Sequence, residues 1–181
     1  MPNSLPNVVT PQFESDLMMR ASRGDRGAFA QIVRLHQDRI YNCIFRLVGD
    51  GDEAAELTQE TFNRGLARAS QFDGAASPFA WLLRIGLGLA VIALRRSHRK
   101  RAFSTAVDSA DLAHQTVADA MGRLEADYRA ALVLRDIEEL NYDEMVSVLD
   151  LPRMEVQSRI FRARLALRDE LNGKLDGVHG Q

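Results

Sequence analysis

Gln157, Ser158, Phe161 and Arg162 stand at i, i+1, i+4 and i+5, the spacing that puts an amide, a hydroxyl, an aromatic ring and a guanidinium on one side of a helix. Such groups can hydrogen-bond to base edges and pack on thymine methyls in a major groove. On the opposite side of the same segment, Val156, Ile160, Ala163 and Leu167 form an apolar stripe. Arg153 and Arg159 flank the polar side and suit phosphates.

The element that must carry these groups is legible around them. In Leu140–Arg164, Asn141 followed three residues later by Glu144 has the form of a capping box. Met145, Val146 and Leu149 keep helical spacing up to a break at Asp150–Leu151–Pro152. Pro152 fits the first turn of a second helix, where its missing N–H costs nothing. The segment predicts a helix-turn-helix. Taken alone, it also has a plainer reading as a surface helix laced with arginines in an all-α domain.

Other segments predict helices throughout. Ser15–Arg23 is a short helix ending at Gly24. Arg26–Leu47 turns Phe29, Ile32, Val33, Ile40, Ile44 and Leu47 toward a core. Asp50 or Asp52 can cap a helix at Glu53–Ala69. A Gly/Ser/Pro loop at Asp73–Pro78 precedes a helix from about Phe79 to Arg96. Strand alternation and internal repeats are absent from the sequence, so the expected class is all-α, in two small domains. The expected boundaries are an arm at 1–14, a first domain at 15–101, a flexible linker at 102–116, a helix-turn-helix domain at 117–176 and a tail at 177–181.

Charge is arranged in blocks. Asp50, Asp52, Glu53, Glu56 and Glu60 occur with no base between Arg46 and Arg64, whereas no acid occurs from Gly74 to Val107. Arg84, Arg95, Arg96, Arg99, Lys100 and Arg101 fall in that acid-free stretch. An acidic helix before a basic one implies two different partners. The formal net charge of −2 argues against a free-standing DNA coat and for help in DNA binding from a partner. Cys43 is the only cysteine, which excludes an internal disulfide and a multi-cysteine metal site. His36, His98, His114 and His179 are scattered, and the sequence has no phosphate loop, zinc-protease pattern or nucleophile elbow, so neither an enzyme nor a cofactor is expected. The N-terminus lacks a signal-peptide pattern, and Trp81–Leu94 is too short to span a bilayer and contains Arg84. The expected location is cytoplasmic, without membrane insertion.

With these residues laid out, the chain resembles the bacterial sigma factors of the extracytoplasmic-function type from about Leu17 to Leu171. GDRGAFAQIV at Gly24–Val33 is similar to the family's opening helices. DEAAELTQETF at Asp52–Phe62 is similar to the region 2 helix that grips the polymerase, and FDGAASPFAWLLRI at Phe72–Ile85 to the elements that open the −10 promoter element. LVLRDIEELNYDEMVSVLDLP and EVQSRIFRAR resemble region 4, which reads the −35 element. The resemblance implies a non-enzymatic initiation subunit whose partners are core RNA polymerase, promoter DNA and an anti-sigma factor. It assigns polymerase binding to Glu53, Glu56, Gln59, Glu60 and Asn63. It assigns −10 contacts to Phe72, Asp73, Ser77, Arg84, Arg95, Arg96, Arg99 and Lys100, and −35 contacts to Arg153, Gln157, Ser158, Arg159, Phe161 and Arg162.

Some positions depart from the family pattern. Gly88 and Ile92 stand where asparagine and aspartate are usual after the tryptophan. Met154, Glu155, Val156 and Gln157 replace a Gly-Thr-Val-basic opening, and Val146 replaces a customary alanine. An alternative reading is therefore a sigma mimic or decoy that binds an anti-sigma factor or polymerase without reading promoters. An ordinary helix-turn-helix repressor would leave DEAAELTQETF unexplained.

Overall fold

A computed structural model describes residues 10–103 and 117–172 of the chain, without the side chains of 97–103 and 118. The helices are α1 (Pro11–Ser22), α2 (Arg26–Val48), α3 (Gly51–Ala67), α4 (Pro78–Phe103), α5 (Val117–Arg123), α6 (Ala126–Leu132), α7 (Tyr142–Leu149) and α8 (Arg153–Asn172). A short 3-10 turn at Ala69–Gln71 follows α3, and a π-type turn at Val133–Ile137 follows α6. No strand occurs among the described residues.

Local chemistry explains most of the helix starts. Thr10, Asp25 and Asp50 accept the backbone N–H groups of Phe13, Ala28 and Glu53, satisfying donors that the first turn leaves open. Asn141 accepts from Asp143 and Glu144 while the Glu144 carboxylate accepts the Asn141 N–H, so the predicted capping box is formed. Gly49 ends α2 with φ +77°, and Asp150 ends α7 in the same left-handed region with φ +56°.

Several expected bounds move. α1 begins at Pro11, inside the segment expected to be an arm. The expected linker starts later than position 102, because α4 continues to Phe103; the rest of it, 104–116, lies outside the described residues, as do 1–9 and 173–181. A break at Leu124–Glu125 divides what reads as one helix after Val117. In α7 the buried positions are Met145 and Val148, with Val146 and Leu149 half-buried, because the helix packs on α4 as well as α8.

The core is continuous across both halves of the chain. Ile32, Ile40, Ile44, Leu82 and Leu83 anchor the first half, and Leu132, Val133, Leu134, Met145, Val156 and Ile160 the second. α4 is the shared element: it packs on α2 and α3 on one side and on α6 and α7 on the other. Its Pro78–Arg96 segment has a mean hydropathy of 1.6 and is long and apolar enough to cross a membrane by length and composition, but half of it is buried by these neighbours. Such burial is what a core helix requires.

Candidate functional site

α3 presents its acidic and amide groups outward because Ala54, Thr58, Thr61, Phe62 and Gly65 take the inner face. Glu56, Gln59 and Asn63 are exposed, and Glu53 and Glu60 half-buried. The structure divides four of these five residues between two grooves. Gln59 and Asn63 line a cleft of about 690 Å³ against α2, with Phe29, Val33, Tyr41 and Phe62 as its apolar walls. Glu53 and Glu56 line a second cleft of about 450 Å³ against α4, beside Leu57, Leu89, Ile92 and Arg96. Glu60 pairs with Arg64 at 2.6 Å.

In the loop before α4, Ser77 caps the helix and Phe72 departs from the −10 contact the resemblance implies. Phe72 is 4% exposed and packs edge-on against Trp81, with ring centroids 5.8 Å apart. It belongs to the core and offers no free face for a base. Asp73 accepts the Ala75 N–H at 2.9 Å and Ser77 accepts the Ala80 N–H at 3.1 Å, so both side chains shape the loop and cap α4. Arg84, Arg95 and Arg96 are exposed on α4. The side chains of Arg99 and Lys100 lie outside the described residues.

On α8, Val156, Ile160 and Ala163 are buried, which turns Gln157, Phe161 and Arg162 into solvent. Phe161 is 64% and Met154 82% exposed, a large apolar surface for a helix to carry in water. Ser158 and Arg159 are half-buried at the edge of this face. Arg153 pairs with Asp143 at 2.6 Å and stacks over Tyr142.

Four residues that sequence reasoning missed join the halves. Asp150 accepts from Arg84 at 2.5 Å, and Asp127 from Arg95 at 2.8 Å. The Glu138 carboxylate, whose side chain is 7% exposed, meets Arg46 and lies 3.6 Å from Arg39. Arg129 is buried, and its Nη1 donates to the Leu47 carbonyl at the end of α2, where a cation also meets the negative end of the helix dipole. Pairs 32 to 92 positions apart leave no local signal. Cys43, beneath Glu138, has its thiol pushed up to about 12 by burial and then by that carboxylate, so it is a core residue and no nucleophile.

Comparison with known proteins gives these surfaces a family. Residues 32–101 match Sigma-70 region 2, and residues 114–167 match Sigma-70, region 4. RNA polymerase sigma-H factor of Pseudomonas aeruginosa is 31% identical, over 88% of this chain and 94% of its own. The extracytoplasmic-function sigma factor SigW of Bacillus subtilis is 29% identical, over 84% and 93%. The structure of CnrH in complex with the cytosolic domain of CnrY superposes with a TM-score of 0.68 at 26% identity, covering 89% of this chain and 98% of that one. Two helical halves in the order region 2, region 4, with matches over nearly the whole length, place the chain in a single family: it is a bacterial RNA polymerase sigma factor of the extracytoplasmic-function type.

Proposed function

We propose that the chain docks on core RNA polymerase through α3 and hands promoter contacts to α4 and α8. The carrying observation is the outer face of α3: acidic and amide groups on a helix whose inner face is fully used, bordered by an apolar-walled groove against α2 and a mixed, charge-lined groove against α4. Two grooves flanking one acidic ridge suit a basic helical partner, with the charges setting orientation and encounter rate. Arg84, Arg95, Arg96, Arg99 and Lys100 then serve the −10 phosphates, while Gln157, Ser158, Phe161 and Arg162 read the −35 element and Arg153 and Arg159 hold its backbone. Phe72, Asp73 and Ser77 take a supporting part, shaping the loop through core packing and capping.

The partners under this reading are core polymerase, promoter DNA and an anti-sigma factor; CnrH, with the same arrangement of halves, is seen with the cytosolic domain of CnrY. The reaction takes place in the cytoplasm, where polymerase is. No observation favours the decoy reading.

Glu56→Lys with Glu60→Lys tests the α3 assignment. Glu56 is exposed and Glu60→Lys exchanges a surface ion pair with Arg64 for like charges, so circular dichroism should stay as in the parent and the melting temperature should fall only slightly. Affinity for core polymerase, measured by fluorescence anisotropy, should fall at least about tenfold, with the larger loss at low salt because charge steering is screened as salt rises. Unchanged affinity in a folded double variant removes α3 as the docking surface.

A further inference from the structure

The first turn of α8 carries a carboxylate that no role above absorbs. Glu155 departs from the family pattern, which has threonine there, and it puts a negative charge where phosphates would be expected. Its neighbours in the turn are accounted for. Arg153 folds back on α7, donating to Asp143 at 2.6 Å with its guanidinium over Tyr142. Val156 is buried in the core. Met154 is 82% exposed, so the turn projects freely, and Glu155 is exposed beside it. The first residues of a recognition helix are the ones that reach base edges in a major groove.

Helix geometry fixes where Glu155 would stand. Residues 155 and 162 are nearly two full turns apart, so they share one row along the outer side of α8, separated by about 10 Å. At 3.4 Å per step, that distance covers about three base pairs. Glu155 thus enters the same groove as Arg162, on a different base pair. Arg159 lies 3.6 Å from it across one turn, and an i,i+4 surface pair of this kind is weak enough to yield to a better partner.

Charge decides what that partner is. In the major groove guanine shows two acceptors, N7 and O6, and thymine shows the acceptor O4, all of which repel a carboxylate. Adenine offers an amino donor but sets the N7 acceptor beside it. Cytosine offers its N4 amino group alone. We propose that Glu155 is a further specificity-determining residue, accepting a hydrogen bond from a cytosine amino group in the −35 element while Arg159 turns to a phosphate. The inference rests on the assignment of the outer face of α8 to that element. The substitution of glutamate for threonine then changes promoter preference and leaves promoter reading intact.

The test is transcription by holoenzyme, assembled from core polymerase and the full chain, on a promoter library randomised across the −35 element. The parent should favour a C·G pair at one position by about tenfold. Glu155→Gln should move that preference to A·T, since an amide accepts from adenine N6 and donates to N7. Glu155→Ala should leave the position indifferent, with preferences elsewhere unchanged. Arg162→Ala, run in parallel, should relax a position about three base pairs away. A uniform gain or loss on every template from both Glu155 variants would make this residue only a charge beside phosphates or a partner of Arg159, and overturns the inference. Altered preference in Arg162→Ala but in neither Glu155 variant overturns it too, and leaves the −35 assignment standing. Unaltered preference in all three variants overturns the assignment itself.

Discussion

Arg159 and Arg162 stand one helical turn apart on α8 and meet different surroundings. Arg162 is exposed and makes no ion pair among the described residues, whereas Arg159 is largely covered and lies 3.6 Å from Glu155. A free guanidinium beside an exposed aromatic suits a bidentate base contact; a tethered one suits a phosphate. Arg162→Ala should therefore relax preference at one position of the −35 element, costing about 1–3 kcal/mol on the preferred base. Arg159→Ala should weaken all sequences alike and reduce the salt slope by about 0.9. Transcription from a promoter library randomised at −35 separates the two. Equal losses on every sequence from Arg162→Ala would take the base-reading role away from that residue. The same scale shows why Phe72 misleads. The resemblance gives it a −10 contact, but the fate of an aromatic ring is decided by its tertiary partner, and Trp81 is that partner.

Among the elements, α4 carries the most constraints, and two of its glycines show how closely. A Cβ at Gly86 would stand 2.9 Å from Thr61 Oγ1 and 3.2 Å from Ile44 Cδ1, whereas one at Gly88 would meet nothing within 4 Å. The first glycine lets α3 and α2 approach; the second faces an open cleft. Gly88→Ala should stabilise the fold by about 0.5–1 kcal/mol through helix propensity. Gly86→Val should destabilise it by about 1–3 kcal/mol through overpacking. Urea unfolding of the two variants tests this, and an equal response would mean that α4 does not pack tightly against Thr61 and Ile44 at Gly86. Capping residues such as Asp50 and Asn141 were legible in the sequence because each acts on N–H groups two or three positions away. The π-type turn after α6 and the burial of Val148 were not, since both follow from packing against segments distant in the chain. The division of α8 into a buried stripe and an exposed face was legible for the opposite reason: both follow one helical period. The seam on α4 was hidden because its partners come from α6 and α7, and nothing local in an arginine marks the aspartate it will meet.

For the molecule as a whole, the alternating blocks of charge look like surfaces for external partners, yet part of the basic block is neutralised from within. That pairing, together with a core that runs through both halves, joins the described residues into one packed body. Arg129 is the residue on which this depends most. Its side chain is buried, donates to the Leu47 carbonyl at 2.8 Å, and also reaches the carbonyls of Gly122 and Leu124, so one guanidinium ties α2 to the start of the second half. Arg129→Met keeps much of the apolar stem and removes every donor. The carbonyls it leaves behind should cost about 1–3 kcal/mol for each that stays buried and unpaired. If α2 and α6 unfold as one unit, calorimetry of the parent gives a single transition, and Arg129→Met splits it into two because the halves lose this buried tie. Two independent transitions in the parent would mean that the halves already melt separately, so that the continuous core is a packing contact without cooperative weight.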